Sequence, residues 1–236
     1  MALPKVVAPT YELELPSNGK KIKYRPFLVK EEKVLLIALD SKDEKQATQA
    51  IVDVLKSCIT TRGVKVEELP SFDLEYLFLK IRGASVGEQI TVTVKCLDDN
   101  KTQVQHTIDI NDIKVVKPKG HNEKIMISKD IGLIMKYPSL DHFVETGFRP
   151  EHEVDGVQII IDSIDQIFEG EDVTESSDCT PKELRTFLES LTQRQFNKIA
   201  KFFETMPKLS HSFSIKNPNT GKESKYTLEG IQSFFA

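Results

Sequence analysis

Tryptophan is absent from this chain, and only three cysteines occur among its 236 residues. Cys58, Cys96 and Cys179 are odd in number and widely spaced, so no disulfide framework is expected, and the pattern fits folding in a reducing cytoplasm. Long apolar runs are missing too. The longest, residues 34–39 and 156–161, fall far short of the roughly 20 residues that a membrane-spanning helix needs. Met1-Ala-Leu-Pro-Lys5 lacks the apolar segment of a secretion signal and reads as the start of a mature protein. An excess of either charge is also lacking: 32 Lys and Arg against 36 Asp and Glu leave a net charge of -4, too little to imply nucleic-acid binding or membrane steering.

The motifs of common chemistries are missing as well. No G-x-x-x-x-G-K-[ST] or G-x-G-x-x-G occurs, and Gly83-Ala-Ser-Val-Gly87 has too few glycines to cradle phosphates. The G-x-S-x-G elbow of serine hydrolases is not found. The five histidines (His106, His121, His142, His152 and His211) show no zinc-ligand spacing, and Cys96 has Asp99 where a C-x-x-C pair needs a second thiol. Cys96 therefore reads as a lone, half-buried strand thiol and Cys58 as a core thiol on a helix face. His142 and His152, near Glu145, Glu151, Glu153 and Asp155, read as part of a solvated acidic loop, and Glu169-Gly-Glu-Asp172 lacks the alternating ligands of a calcium loop. Nothing singles out two of the 36 carboxylates as a glycosidase pair. Neither a catalytic, a cofactor nor a metal site is expected.

What is present is an ordinary globular composition, 39% hydrophobic and 29% charged, in a chain long enough for one large domain or two small ones. The Asn18-Gly19 step between alternating segments predicts a hairpin over residues 11–25, because both residue types tolerate positive φ. A helix is expected over 29–39. A second, opened by Ser41-Lys-Asp-Glu44 as a capping box, carries Ala47, Ala50, Ile51, Val54, Leu55, Cys58 and Ile59 on one face. A third follows Pro70-Ser71 with Phe72, Leu74, Leu77, Phe78 and Ile81. Residues 89–97 and 102–110 alternate and are rich in Val, Ile and Thr, which predicts a second hairpin turning at 98–101. Shorter strands are expected at 113–116, 124–127 and 131–136, with a domain seam at Lys117-Pro-Lys-Gly120.

Charge then segregates. Residues 151–179 hold ten Asp or Glu and no Lys or Arg, around an apolar segment from Val157 to Phe168, whereas residues 180–225 hold nine Lys or Arg against four Asp or Glu. Thr180-Pro-Lys-Glu183 is a capping box with Pro at the first helical position, opening a helix with Leu184, Phe187, Leu188 and Leu191. A further helix bears Phe196, Ile199, Ala200 and Phe203. A closing hairpin sets His211, Phe213 and Ile215 on one strand face, turns at 217–221, and returns through Tyr226 and Leu228. The fold class expected is α+β: an N-terminal hairpin-helices-hairpin unit over 1–118, and a mixed unit over 119–236 with an acidic loop at 151–179, ending in two helices and a β-hairpin.

Several motifs without catalytic logic stand out. They are Leu15-Pro-Ser-Asn-Gly19, Tyr24-Arg-Pro-Phe-Leu-Val-Lys-Glu-Glu-Lys33 leading into Leu35-Leu-Ile-Ala-Leu39, Leu69-Pro-Ser-Phe-Asp-Leu-Glu-Tyr-Leu-Phe-Leu-Lys-Ile-Arg82 with Ser85-Val-Gly-Glu88, Phe203-Glu-Thr-Met-Pro-Lys-Leu-Ser-His211 and Leu228-Glu-Gly-Ile-Gln-Ser-Phe-Phe235. With Cys58 and Cys96 they resemble the baseplate proteins of T-even-like contractile-tailed phages, a family that includes the baseplate hub subunit and the hub assembly catalyst. The resemblance covers nearly the whole chain, least well at 151–179. It implies a non-enzymatic part in building the hub, located in the virion after assembly in the host cytoplasm. Other hub and tail proteins would be its partners and a homo-oligomer is left open, with no cofactor, nucleic acid or membrane insertion.

Candidate interface residues are Tyr24, Arg25 and Phe27, where a hairpin hands over to a helix, and the terminal Phe234 and Phe235, since aromatic and Arg groups are enriched at interface centres. A second reading stands beside each. Phe27 can staple the following helix while Arg25 pairs with a local Glu, and Phe234-Phe235 can edge the core. The acidic segment and the basic helices after it are either a docking surface or two solvated faces. Three functions remain distinct: a hub subunit retained in the particle, an assembly factor that leaves, and a tail-associated cell-wall hydrolase.

Overall fold

The computed structural model describes residues 6–40, 44–138 and 156–234. In chain order the elements are β1 (Tyr11–Glu14), β2 (Lys21–Tyr24), α1 (Val29–Asp40), α2 (Glu44–Cys58), α3 (Ser71–Val86), β3 (Gln89–Lys95), β4 (Gln103–Asp109), β5 (Lys114–Val116), β6 (Lys124–Met126), β7 (Ile131–Met135), α4 (Gly156–Asp162), β8 (Ile164–Glu169), β9 (Asp172–Glu175), α5 (Pro181–Glu189), α6 (Gln193–Glu204), β10 (Lys208–Lys216) and β11 (Glu223–Glu229). Helices and antiparallel sheets coexist in an α+β fold.

Contacts divide the chain into two units, Met1–Val116 with Lys208–Ala236, and Lys117–Pro207. The break falls at the Lys117-Pro-Lys-Gly120 stretch. The last hairpin does not stay with its sequence neighbours, contrary to the reading that kept residues 119–236 together. Its strand β10 pairs antiparallel with β5, Leu209 opposite Val115, so a three-stranded sheet β11-β10-β5 belongs to the first unit. Apolar burial drives this return. Leu209, Phe213, Ile215 and Phe234 close a core with Leu79 of α3 and Ile90, Val92, Ile108, Ile110 and Ile113.

The first unit turns on α3. Its residues Phe72, Leu74, Leu77, Leu79 and Ile81 are all buried, a pattern of a helix enclosed on several sides and not of a one-sided amphipathic one. The β1–β2 turn spans four residues, Pro16 to Gly19; only Gly19 takes positive φ (70°), so it is not the two-residue turn that Asn-Gly suggests. The proposed capping residues 41–43 of α2, and the side chain of Ala47, lie outside the described residues. Ala50, Val54, Leu55 and Cys58 of the expected α2 face are buried, and Val52 joins them.

The second unit is a four-stranded antiparallel sheet, β6-β7-β8-β9, packed with α4, α5 and α6. Here the expected acidic loop is corrected. From Gly156 onward the segment folds as α4, β8 and β9, and β8 is an inner strand of the sheet. The reason is its apolar content: Ile160, Ile161 and Ile164 are buried in one core with Leu133, Leu184 and Ile199, while the carboxylates from Glu169 to Asp178 are exposed. Residues 151–155, with His152, and likewise His142 lie outside the described residues. The Thr180–Glu183 capping box forms, and a second, Thr192 with Gln195, opens α6.

Candidate protein interface

The entry to α1 is built on one ion pair. Arg25 leaves β2 and donates from Nη1 to Glu31 Oε2 (2.9 Å) and from Nη2 to Glu31 Oε1 (2.7 Å), a two-bond fork. Glu31 Oε2 also accepts from the amide of Leu28 at 2.6 Å, so this carboxylate caps the helix whose first turn it occupies. The hydrogen bond from Arg25 holds the Glu31 carboxyl below the usual carboxylate range, against a desolvation penalty, and raises the Arg25 guanidinium in return. Behind the pair, Arg25 N donates to the carbonyl of Cys58 at 2.9 Å, and burial pushes the Cys58 thiol up to about 11.

Of the residues singled out in the sequence, Tyr24 is buried and stacks on Tyr11 with ring centroids 5.7 Å apart. It is a core residue and not an exposed anchor. Phe234 is also core, 1% exposed, because its short 3₁₀ turn folds onto the β10 sheet. Phe235 lies outside the described residues. Arg25 is half-buried in the local pair with Glu31, and Phe27 is half-buried, its amide donating to Ser85 Oγ at 2.9 Å. Arg25 and Phe27 are thus tied into the junction between the hairpin and α1.

Several exposed apolar residues lie on α1 itself. Glu31, Leu35 and Ala38 face inward, leaving Val29 (82% exposed), Leu36 (62%) and Ile37 (62%) in solvent with Val34 beside them. Positions 29, 36 and 37 lie on one side of the helix with the exposed Lys33 between them, and 34 neighbours 37 one turn away. Leu28 at the start of α1 and Val86 at the end of α3 are exposed too. A sequence signal existed. Successive helical residues point about 100° apart, so an unbroken apolar run over 34–39 cannot be covered by one packing face.

The cysteines and acidic clusters of the described residues are placed as follows. Cys58 and Cys96 are buried free thiols, Cys96 more deeply than expected, and Cys179 is half-buried and free. Among the described residues no group of three or more His, Cys, Asp or Glu is placed to hold a metal, and no helix is long and apolar enough to cross a membrane. Asp98 and Asp99 serve structure. Asn217 Nδ2 donates to Asp98 Oδ1 (2.9 Å) and Asp99 Oδ2 (3.1 Å), and the Thr220 hydroxyl donates to Asp98, tying two hairpin tips together. His211 and His106 each stack on Phe213, at 5.8 and 4.3 Å.

Comparison with known proteins agrees with the resemblance seen in the sequence. The family model described as "T4 bacteriophage base plate protein" matches residues 8–236, nearly the whole chain, including both structural units. No curated protein and no solved structure matches. The family match spans the hairpin-to-α1 handover, α3 and the terminal hairpin alike, and on it the chain belongs to the T4 bacteriophage base plate protein family.

Proposed function

We propose that this baseplate protein is a non-enzymatic structural subunit of the central hub, retained in the finished tail and held there by docking onto other baseplate proteins through the apolar face of α1. The observation that carries the reading is the stripe of Val29, Val34, Leu36 and Ile37, left uncovered on a helix whose entry is locked by Arg25 and Glu31. Four exposed apolar side chains within about two turns, interspersed with the exposed cations Lys30 and Lys33, suit a binding surface that pairs apolar contacts with charge. A locked base lowers the ordering cost of binding. Family membership supports partners within the baseplate.

The test replaces Leu36 and Ile37 together by Asp. Exposed positions tolerate change to within about 0.5 kcal/mol each, so the isolated protein keeps its melting temperature. Tails grown with the variant should lack the protein by mass spectrometry of purified particles, or fail to complete. Normal tails carrying the variant would sink the α1 reading. Finished wild-type particles devoid of the chain would favour an assembly factor that leaves, and clearing of peptidoglycan in a gel would favour a hydrolase.

A further inference from the structure

A second surface, independent of α1, lies on the second unit, whose sheet is covered on one face only. Ile125, Leu133 and Ile167 point to the side of α4, α5 and α6 and join the core there. Their strand neighbours point the other way. Three contacts fix that outer face: Lys124 Nζ lies 4.5 Å from the Phe168 ring centroid, the tip of the Phe168 ring lies over Gly132, and Gln166 Nε2 donates to Glu175 Oε1 at 2.8 Å.

The register orders this face into two rows. Met126, Gly132, Phe168 and Val173 stand opposite one another across β6, β7, β8 and β9, an apolar row from edge to edge. Beside it run Lys124, Ile134, Gln166 and Glu175. Met126 is 40% and Val173 58% exposed, whereas the outward face of such a sheet is commonly polar. Lys124 and Glu175, at the two ends of the second row, are exposed, and among the described residues neither has an ion-pair partner.

An apolar row alone names no partner; the order of the charges does. A two-fold axis running along the strands between β7 and β8 turns each row end for end and leaves it opposite its own counterpart. Lys124 of each copy then faces Glu175 of the other, Met126 faces Val173, and Phe168 faces Gly132, the one position in the rows without a side chain. The surface is complementary to itself.

We propose that this face pairs with the same face of a second copy of the chain, sheet on sheet about that axis, the apolar rows in contact and the Lys124–Glu175 pairs at both ends setting the register. Two rows on four strands amount to on the order of 250 Å² per copy, against about 800 Å² on each side of a standard interface. The pair is therefore weak in dilute solution, with a dissociation constant of about 0.1–1 mM.

The experiment follows the full chain by sedimentation up to about 1 mM, with amide shifts of the ¹⁵N-labelled protein read over the same range. A monomer–dimer equilibrium is expected, with concentration-dependent shifts mapping to residues 124–134 and 166–175. Lys124→Glu sets like charges against each other at both ends, and so does Glu175→Lys. Each variant should keep its melting temperature and weaken the dimer about tenfold. Mixed in equal amounts, the two variants should pair again, because every end now meets the opposite charge. Both exchanges in one chain should restore the dimer as well. A purely structural role for either residue predicts no such rescue. The proposal is overturned by a monomer throughout, by single variants that pair as the parent does, by a mixture that stays monomeric, or by shifts that map to α1.

Discussion

Asp73, fully buried on α3, spends both oxygens of its carboxylate on Ser17, accepting one hydrogen bond from the amide and one from the hydroxyl. This one side chain couples the first turn of the protein to its central helix, 56 residues away. Desolvation raises the Asp73 carboxyl above the ordinary carboxylate range, and the two Ser17 bonds only partly oppose it. A raised folded pKa means that the charged form is the costly one. Stability attributable to Asp73 is therefore highest at low pH and falls as pH rises from the unfolded carboxylate value through the folded one. Asp73→Asn should remove that slope and stay within about 1 kcal/mol of the parent at neutral pH, since an amide still pairs with Ser17. Asp73→Ala should cost about 1–3 kcal/mol by leaving the Ser17 donors without their acceptor. Denaturant melts of the three proteins from pH 4 to 8 check both.

The Arg25–Glu31 pair has the opposite pH sign. The Glu31 carboxyl is held below its ordinary value, chiefly by the Arg25 hydrogen bond. Its contribution is present above the unfolded pKa and disappears as pH falls through the folded one. Glu31→Ala strands a half-buried guanidinium and uncaps α1, and should cost about 2–4 kcal/mol. Arg25→Ala with Phe27→Ala should likewise lower the melting temperature, because these residues are built into the hairpin-helix junction. Calorimetry at pH 7 reads both variants; an unchanged transition would return Arg25 and Phe27 to the surface as docking residues.

Gly132 on β7 has no room for a side chain. A Cβ there would overlap Cζ at the tip of the Phe168 ring, 2.8 Å from Cε1, and would lie 2.9 Å from the carbonyl oxygen of Ile125. Phe168 is itself covered by Lys124, its Nζ 4.5 Å from the ring centroid. Gly132→Ala should destabilise the second unit by about 1–3 kcal/mol through overpacking. Trimming the ring with Phe168→Leu in the same chain should recover part of that loss, and a double-mutant cycle on melting curves measures the coupling.

Thiol chemistry should separate the three cysteines. Cys58 has no accessible surface and its thiol is pushed up to about 11 by burial, so almost no thiolate exists at pH 8. Cys96 is equally enclosed, whereas Cys179 is half-buried. An aromatic disulfide reagent at pH 8 should modify Cys179 in the native protein and reach the other two only after denaturation. Rapid native labelling of Cys58 would mean that the α2 end and β2 separate readily.

Local signals carried most of the secondary structure. Alternation at 89–97 and 102–110 and the Thr180 capping box translate directly into β3, β4 and α5, because both devices act within a few residues. What escaped was decided at long range. Nothing in the three residues of β5 tells that β10 will pair with them, and the apolar segment 157–168, visible among the carboxylates, does not by itself divide into α4 and an inner strand β8. The interface suffered in the same way. Tyr24 and Phe234 look like surface anchors by residue type but are claimed by the core, while the exposed face of α1 was hidden in a run that resembled ordinary core material.

The pairing of β5 with β10 also sets a timetable. At about 5–20 residues per second, synthesis of residues 117–207 leaves the front of the molecule waiting for roughly 5–20 s before its closing strands exist. Until then Leu79, Ile110 and Ile113 lack the cover that Leu209, Phe213 and Phe234 later provide. A premature stop just after Pro207 would thus damage the portion of the chain made first, and spare the portion made last.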